Sequence, residues 1–96
     1  MQANTTGNRP SDIVSIVTDT GVNIELEVAD VREIFYRVEL WRGARRNHEQ
    51  TSARRQQRQI TDMVGEFGLT FEDARELTDW YSNTIYNPKL PWTCPL

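Results

Sequence analysis

Cysteine and histidine are almost absent from this 96-residue chain, in which Cys94 and His48 are the only residues of these types. One cysteine cannot close an internal disulfide, and the two residues together cannot supply the four ligands of a structural zinc site. His48 also lacks a nucleophile and an orienting group at a recognisable spacing, which catalysis by histidine requires. We therefore predict that the chain is not an enzyme and has no metal, no cofactor and no small-molecule substrate.

Long apolar runs are missing as well. No stretch approaches the ~18 consecutive apolar residues that a membrane span needs, and residues 1–11 contain no apolar segment of the kind found in a signal peptide. We therefore predict no membrane partner, and a location in the cytoplasm or within an assembled particle.

The segment 1–11 is polar and has little to bury, so it predicts a flexible arm. Two β-branched runs follow it on either side of the turn-forming residues 18–21. One run covers 13–17, and the other alternates apolar and polar residues over 22–28. Alternation with a period of two is typical of a strand with one buried face. The two runs together predict a β-hairpin.

From Ala29 onward the apolar residues recur with the period of a helix, and Asp30 with Glu33 has the spacing of a capping box. One apolar stripe consists of Val31, Ile34, Phe35, Val38 and Trp41, and a second of Ile60, Met63, Val64 and Phe67. The polar stretch between the stripes allows either a helical hairpin that turns near 43–52 or one long helix over 30–67. We favour the hairpin because it buries more apolar area in a small chain.

Gly68 is typical of a helix C-terminus, and Thr70 with the acidic residues after it is typical of the start of another helix. Proline-rich residues 87–96 predict an extended, polyproline-like tail. The predicted fold class is α+β, with one domain over 12–86. In this domain an N-terminal β-hairpin is followed by two or three α-helices, with extended N- and C-terminal tails on either side.

The charges are segregated along the chain. Residues 41–60 carry a net charge of +5, whereas the whole chain carries −3. Three interpretations fit such a segment. It is an ordinary solvated helical face, a surface that binds an acidic protein or a second copy of the chain, or a surface that binds phosphates. A negative total charge, and the lack of aromatic residues among the arginines, argue against nucleic acid. The candidate partner-binding residues of this segment are Arg42, Arg45, Arg46, Arg54, Arg55 and Arg58.

The predicted tail adds Leu90 and Trp92 as candidate contact residues. A tryptophan between prolines either folds back onto its own domain or inserts into a neighbour's pocket, where tryptophan is a favoured anchor. The spacing of Pro88 and Pro91 also fits a polyproline ligand.

These features predict a small assembly or adaptor protein that acts by protein–protein contact, such as a minor structural or connector subunit of a virion-like particle. One alternative is a regulatory nucleic-acid-binding protein that uses the arginine-rich segment 42–58. Another alternative is a small inhibitor that uses its acidic surface. Self-assembly of the chain into an oligomer is consistent with the predicted assembly or adaptor role.

Overall fold

The computed structural model describes residues 1–93, and Cys94 and the last two residues of the predicted tail lie outside this range. A three-stranded antiparallel sheet in the order β1-β2-β3 precedes three helices. The strands are β1 (Gln2–Thr5), β2 (Ile13–Val17) and β3 (Asn23–Glu27), and the helices are α1 (Val28–Arg46), α2 (Gln50–Gly65) and α3 (Phe71–Thr84). The predicted α+β class is confirmed.

The predicted hairpin is the β2–β3 pair. Val14 lies opposite Leu26 and Ile16 lies opposite Ile24, so their side chains share the face of the sheet that the helices cover. The turn between the strands is closed by a hydrogen bond from the Thr18 N–H to the Val22 carbonyl, 3.0 Å long.

The structure differs from the predicted flexible arm at its first residues, because β1 lies inside the segment 1–11. Ala3 pairs with Ile16, and Thr5 pairs with Val14. The sequence Gln-Ala-Asn-Thr has little strand preference of its own. The strand forms because the edge of β2 offers backbone partners, and because Met1 and Ala3 pack against the core on the inner face.

Helix α1 begins at Val28, two residues before the predicted cap at Asp30. Strand β3 runs directly into the helix, with Glu27 as the N-cap residue. The Asp30 carboxylate accepts a hydrogen bond from the Glu27 N–H at 3.2 Å. Asp30 is therefore the third helical residue of the capping arrangement rather than its first member.

The predicted helical hairpin is confirmed, and the single helix over 30–67 is wrong. Only residues 47–49 separate α1 from α2. The His48 N–H donates to the Arg45 carbonyl at 3.1 Å, and the Glu49 N–H donates to the Ala44 carbonyl at 2.9 Å. This pair of bonds is a Schellman motif, which satisfies carbonyls at the end of α1.

The same motif ends the second helix. The Gly68 N–H donates to Gly65 at 3.1 Å, and the Leu69 N–H donates to Val64 at 3.0 Å. Thr70 then caps α3, because its hydroxyl accepts from the Asp73 N–H at 3.2 Å and the Asp73 carboxylate accepts from the Thr70 N–H at 3.0 Å. The predicted roles of Gly68 and Thr70 are both confirmed.

The core lies around α1, which contacts α2, α3 and the two strands of the hairpin. The rings of Phe35 and Tyr81 lie 4.8 Å apart between their centroids, and those of Phe35 and Tyr86 lie 5.3 Å apart. The fully buried side chains of the core include Val14, Ile16, Val28, Val31, Ile34, Val38, Ile60, Val64, Leu77 and Tyr81.

The tail up to Thr93 is folded into turns, which differs from the extended conformation predicted for 87–96. The Leu90 N–H donates to the Asn87 carbonyl at 3.0 Å, and the Thr93 N–H donates to the Leu90 carbonyl at 3.1 Å. Pro88 and Pro91 each take the second position of a turn, where the fixed φ of proline is favourable. The prolines therefore bend this segment back onto the domain, and Thr93 is fully buried.

Candidate interaction surface

Five of the six predicted arginines lie on the solvent side of the helical hairpin. We call this set the arginine surface, and it consists of Arg45, Arg46, Arg54, Arg55 and Arg58, all of them exposed. The first two end α1, where cations are favourable near the helix C-terminus. The other three lie on α2, opposite the face that buries Ala53, Ile60 and Val64.

The sixth predicted arginine, Arg42, binds carboxylates of its own chain. Its Nη1 donates to Glu39 and its Nη2 donates to Asp79, each at 3.0 Å, so it connects α1 to α3. Partial burial lowers the pKa of Arg42, but the hydrogen bonds to Asp79 and Glu39 outweigh this effect and the net pKa is raised. The guanidinium therefore stays charged while it holds the two helices together.

Arginines of α1 and α3 that lie outside the arginine surface form ion pairs with nearby carboxylates. Arg37 lies 3.0 Å from Glu33, and Arg75 lies 3.1 Å from Glu72. By contrast, none of the five residues of the arginine surface forms an ion pair with a carboxylate of residues 1–93. The arginine surface is therefore a cluster of like charge without internal compensation.

A cleft of about 410 Å³ lies between the end of α1 and the start of α2, and we call it the turn cleft. Arg45 and Arg54 supply its positive charges, Glu49 supplies a negative one, and His48 lies beside them. Trp41 is also part of the lining. A second cleft of about 340 Å³ shares Trp41 and Arg45 and is lined otherwise by Arg42, Arg46 and Arg75.

Trp41 supports both clefts from within the core. It is only 5% exposed, and its ring meets Phe71 edge-on at 4.9 Å between centroids. The guanidinium carbon of Arg45 lies 5.0 Å from the Trp41 ring centroid, and that of Arg75 lies 5.6 Å from it. At these distances both cations are attracted to the ring. Trp41 thus positions arginines, and it is too buried to stack on a nucleic-acid base.

The structure places the predicted tail contacts against the domain. Trp92 is half-buried and packs against the core, and Leu90 is half-buried beside it in the turns. Of the two alternatives for Trp92, the structure shows the side chain folded back onto its own domain.

Acidic side chains form a separate cleft of about 240 Å³ near the β2–β3 turn and the start of α3. Asp19 and Glu76 line it, and both form ion pairs with the Met1 amino group. The hydrogen bond from this amino group to Asp19 raises its pKa above the ordinary value, despite an opposing effect of desolvation. Asp73 also lines the cleft and is engaged in the cap of α3.

Within residues 1–93, no group of three or more His, Cys, Asp or Glu side chains could hold a metal ion. No helix of the described part is long and apolar enough to cross a membrane. Comparison with models of known families, with characterised proteins and with solved structures found no match to this chain.

The sequence indicates the arginines of this surface but not the residues that organise it. Trp41 lines the turn cleft only because α2 folds back beside α1, and Arg75 lines the second cleft only because α3 packs against α1; no local pattern reveals either contact. His48 could have been identified from its place just after the last turn of α1, where glycine is the usual residue.

Proposed function

We propose that this chain is a non-enzymatic adaptor or assembly protein that binds an acidic segment of a partner protein through the arginine surface. The observation that carries the proposal is the contrast among its arginines. Arg37, Arg42 and Arg75 each form an ion pair with a carboxylate of the chain, whereas the five residues of the arginine surface are exposed and form no ion pair with residues 1–93. A minor structural or connector subunit of a virion-like particle is one form that such a role would take.

The arrangement costs stability in the isolated chain. Arg54 and Arg58 are four residues apart on α2, and Arg55 and Arg58 are three apart, so like charges face one another on the helix surface. Pairs of this kind destabilise a helix by ~0.2–0.5 kcal/mol each. Carboxylates from a partner would relieve this repulsion, and the planar guanidinium fork binds them in a bidentate manner.

The two alternatives have weaker support. Phosphates would also neutralise the arginine surface, but Trp41 is buried and the chain offers no exposed aromatic side chain at the clefts for base stacking. An inhibitor that acts through its acidic surface would need free carboxylates. In the acidic cleft, however, Asp19, Asp73 and Glu76 already have partners within the chain.

Capture of the native complex tests the proposal. The baits are the wild-type chain, a variant with Arg54→Gln, Arg55→Gln and Arg58→Gln, and a control with Arg9→Gln and Arg37→Gln, which changes arginines outside the arginine surface. Partners from the protein's own cells are identified by mass measurement of the intact complex. We expect the wild type and the control to retain a protein with an acidic segment and the triple variant to lose it. Retention by the triple variant, or capture of nucleic acid alone, would contradict the proposal.

A further inference from the structure

His48 has a backbone conformation that side chains rarely adopt. Its φ is 58°, and it is the only non-glycine residue with a positive φ among residues 1–93. The other two positions with positive φ are Gly21 and Gly68. An L-residue pays an energetic penalty in this left-handed region because its Cβ approaches the following carbonyl oxygen.

The end of α2 provides an internal comparison. Gly68 and His48 occupy equivalent positions in the two Schellman motifs, each donating its N–H to the carbonyl three residues earlier. Glycine therefore serves this backbone role at one helix end, and histidine stands in the same role at the other. The hydrogen bonds of the motif come from the backbone and do not require an imidazole.

The side chain of His48 has no packing role that would offset the penalty. It is exposed, and it forms no hydrogen bond or ion pair with the described part of the chain. It lies instead at the turn cleft beside Arg45 and Arg54. Strained residues that the surrounding structure holds in place are concentrated at binding and catalytic sites.

The lining of the turn cleft favours an anion. Two arginines face one glutamate, Glu49, and no acidic residue lies in the first turn of α2. The cleft volume of about 410 Å³ is larger than one carboxylate group and is sufficient for a side chain together with adjacent backbone. The remaining members of the arginine surface, Arg46, Arg55 and Arg58, do not line this cleft.

We infer that the turn cleft is the anchor site for the acidic segment. It receives one carboxylate side chain of that segment, with Arg45 and Arg54 as forked donors and the imidazole of His48 as a further donor. This inference rests on the proposed function and divides the work of binding between two groups of residues. The cleft residues bind the anchoring carboxylate directly, while the other arginines attract the acidic segment over a longer range.

Three single variants test the inference with an oligoglutamate peptide as the probe. His48→Gly removes the imidazole and suits the left-handed backbone, Arg54→Gln removes a cleft arginine, and Arg58→Gln is the matched control on the same helix outside the cleft. Affinity is measured by calorimetry and folding stability by urea denaturation. We expect His48→Gly to be at least as stable as the wild type and to bind about threefold to tenfold more weakly, which corresponds to the loss of one hydrogen bond of typical net strength. Arg54→Gln should weaken binding more than Arg58→Gln does.

The outcomes separate the inference from the proposed function. If the wild type binds the peptide and Arg58→Gln weakens binding as much as Arg54→Gln, the arginine surface acts without an anchor and the inference fails alone. Unchanged affinity in His48→Gly would also overturn it, and so would a loss of stability in that variant. If the wild type does not bind the peptide at all, the inference and the proposed function both fail.

Discussion

Nη2 of Arg42 lies 3.0 Å from Oδ1 of Asp79, and this contact connects the last turns of α1 to α3 on the side of the molecule next to the arginine surface. Arg42 belongs to the basic segment, but this bond makes it part of the contact between two helices. The neighbouring Arg45 and Arg46 form no ion pair with a carboxylate of residues 1–93. The packing of α3 on α1 therefore gives Arg42 a partner within the fold and separates it from the arginine surface.

Asp79→Asn is expected to reduce stability slightly without changing binding. Arg42 keeps its second partner Glu39, and the Asp79 side chain of the lost pair is mostly exposed. We expect the free energy of unfolding to fall by roughly 0.5–1 kcal/mol. Urea denaturation measures the change, and a double-mutant cycle with Arg42→Gln isolates the pair. A coupling energy of zero in that cycle would show that the contact does not stabilise the packing of α1 on α3.

Trp41→Ala is expected to be strongly destabilising, because the ring is buried and packs edge-on against Phe71, with 4.9 Å between the ring centroids. Truncation of a buried tryptophan costs about 3–5 kcal/mol, which is a large part of the stability of a domain this small. Trp41→Phe should cost much less. Thermal unfolding of the two variants measures the difference, and equal melting temperatures would contradict the role assigned to Trp41 as a support of both clefts.

Gly68→Ala is expected to destabilise the protein by roughly 1 kcal/mol, because the φ of +81° at this position disfavours any Cβ. The new methyl group would meet Ile24 at 3.7 Å, an ordinary contact, so the penalty comes from the backbone. Chemical denaturation provides the measurement. His48→Gly is instead expected to be at least as stable as the wild type, and destabilisation in both variants would contradict the equivalence of the two helix ends.

Stability is expected to decrease at alkaline pH because the amino group of Met1 loses its proton. Its pKa is raised above the ordinary value of 8.0, chiefly by the hydrogen bond to Asp19. A raised pKa in the folded state means that the contribution to stability is complete below pH 8 and is lost as the pH rises through the folded-state pKa. Urea denaturation over this range should show a smaller alkaline decrease for Asp19→Asn than for the wild type. Identical pH profiles for the two proteins would refute the contribution of this ion pair.

The sequence predicts those parts of the fold that depend on local patterns. The alternation over 22–28 indicates a strand, the two apolar stripes indicate α1 and α2, and Gly68 and Thr70 mark a helix end and a helix start. Each of these signals is contained within a few neighbouring residues, so no knowledge of tertiary contacts is needed.

The features that the sequence does not predict depend on contacts between distant segments. Strand β1 forms on the free edge of β2, and its polar residues give no sign of this. The prolines at 88 and 91 fit an extended tail and a pair of turns equally well. In the structure the segment forms the pair of turns. There the Thr93 hydroxyl donates to the Leu90 carbonyl at 2.9 Å, and Thr93 is buried. The candidate site divides in the same way, since the arginines are evident from composition, whereas the engagement of Arg42 by Asp79 requires the packed structure.

The affinity of the chain for an oligoglutamate peptide, compared with its affinity for single-stranded DNA of equal charge, tests the central claim most directly. Both ligands are titrated at several ionic strengths into the wild type and into the variant with Arg54→Gln, Arg55→Gln and Arg58→Gln. The proposed role predicts that the wild type prefers the peptide, that this binding weakens as salt is raised, and that the triple variant loses it. Preference for DNA, or peptide binding that the triple substitution leaves unchanged, would contradict the proposal that the arginine surface binds an acidic protein partner.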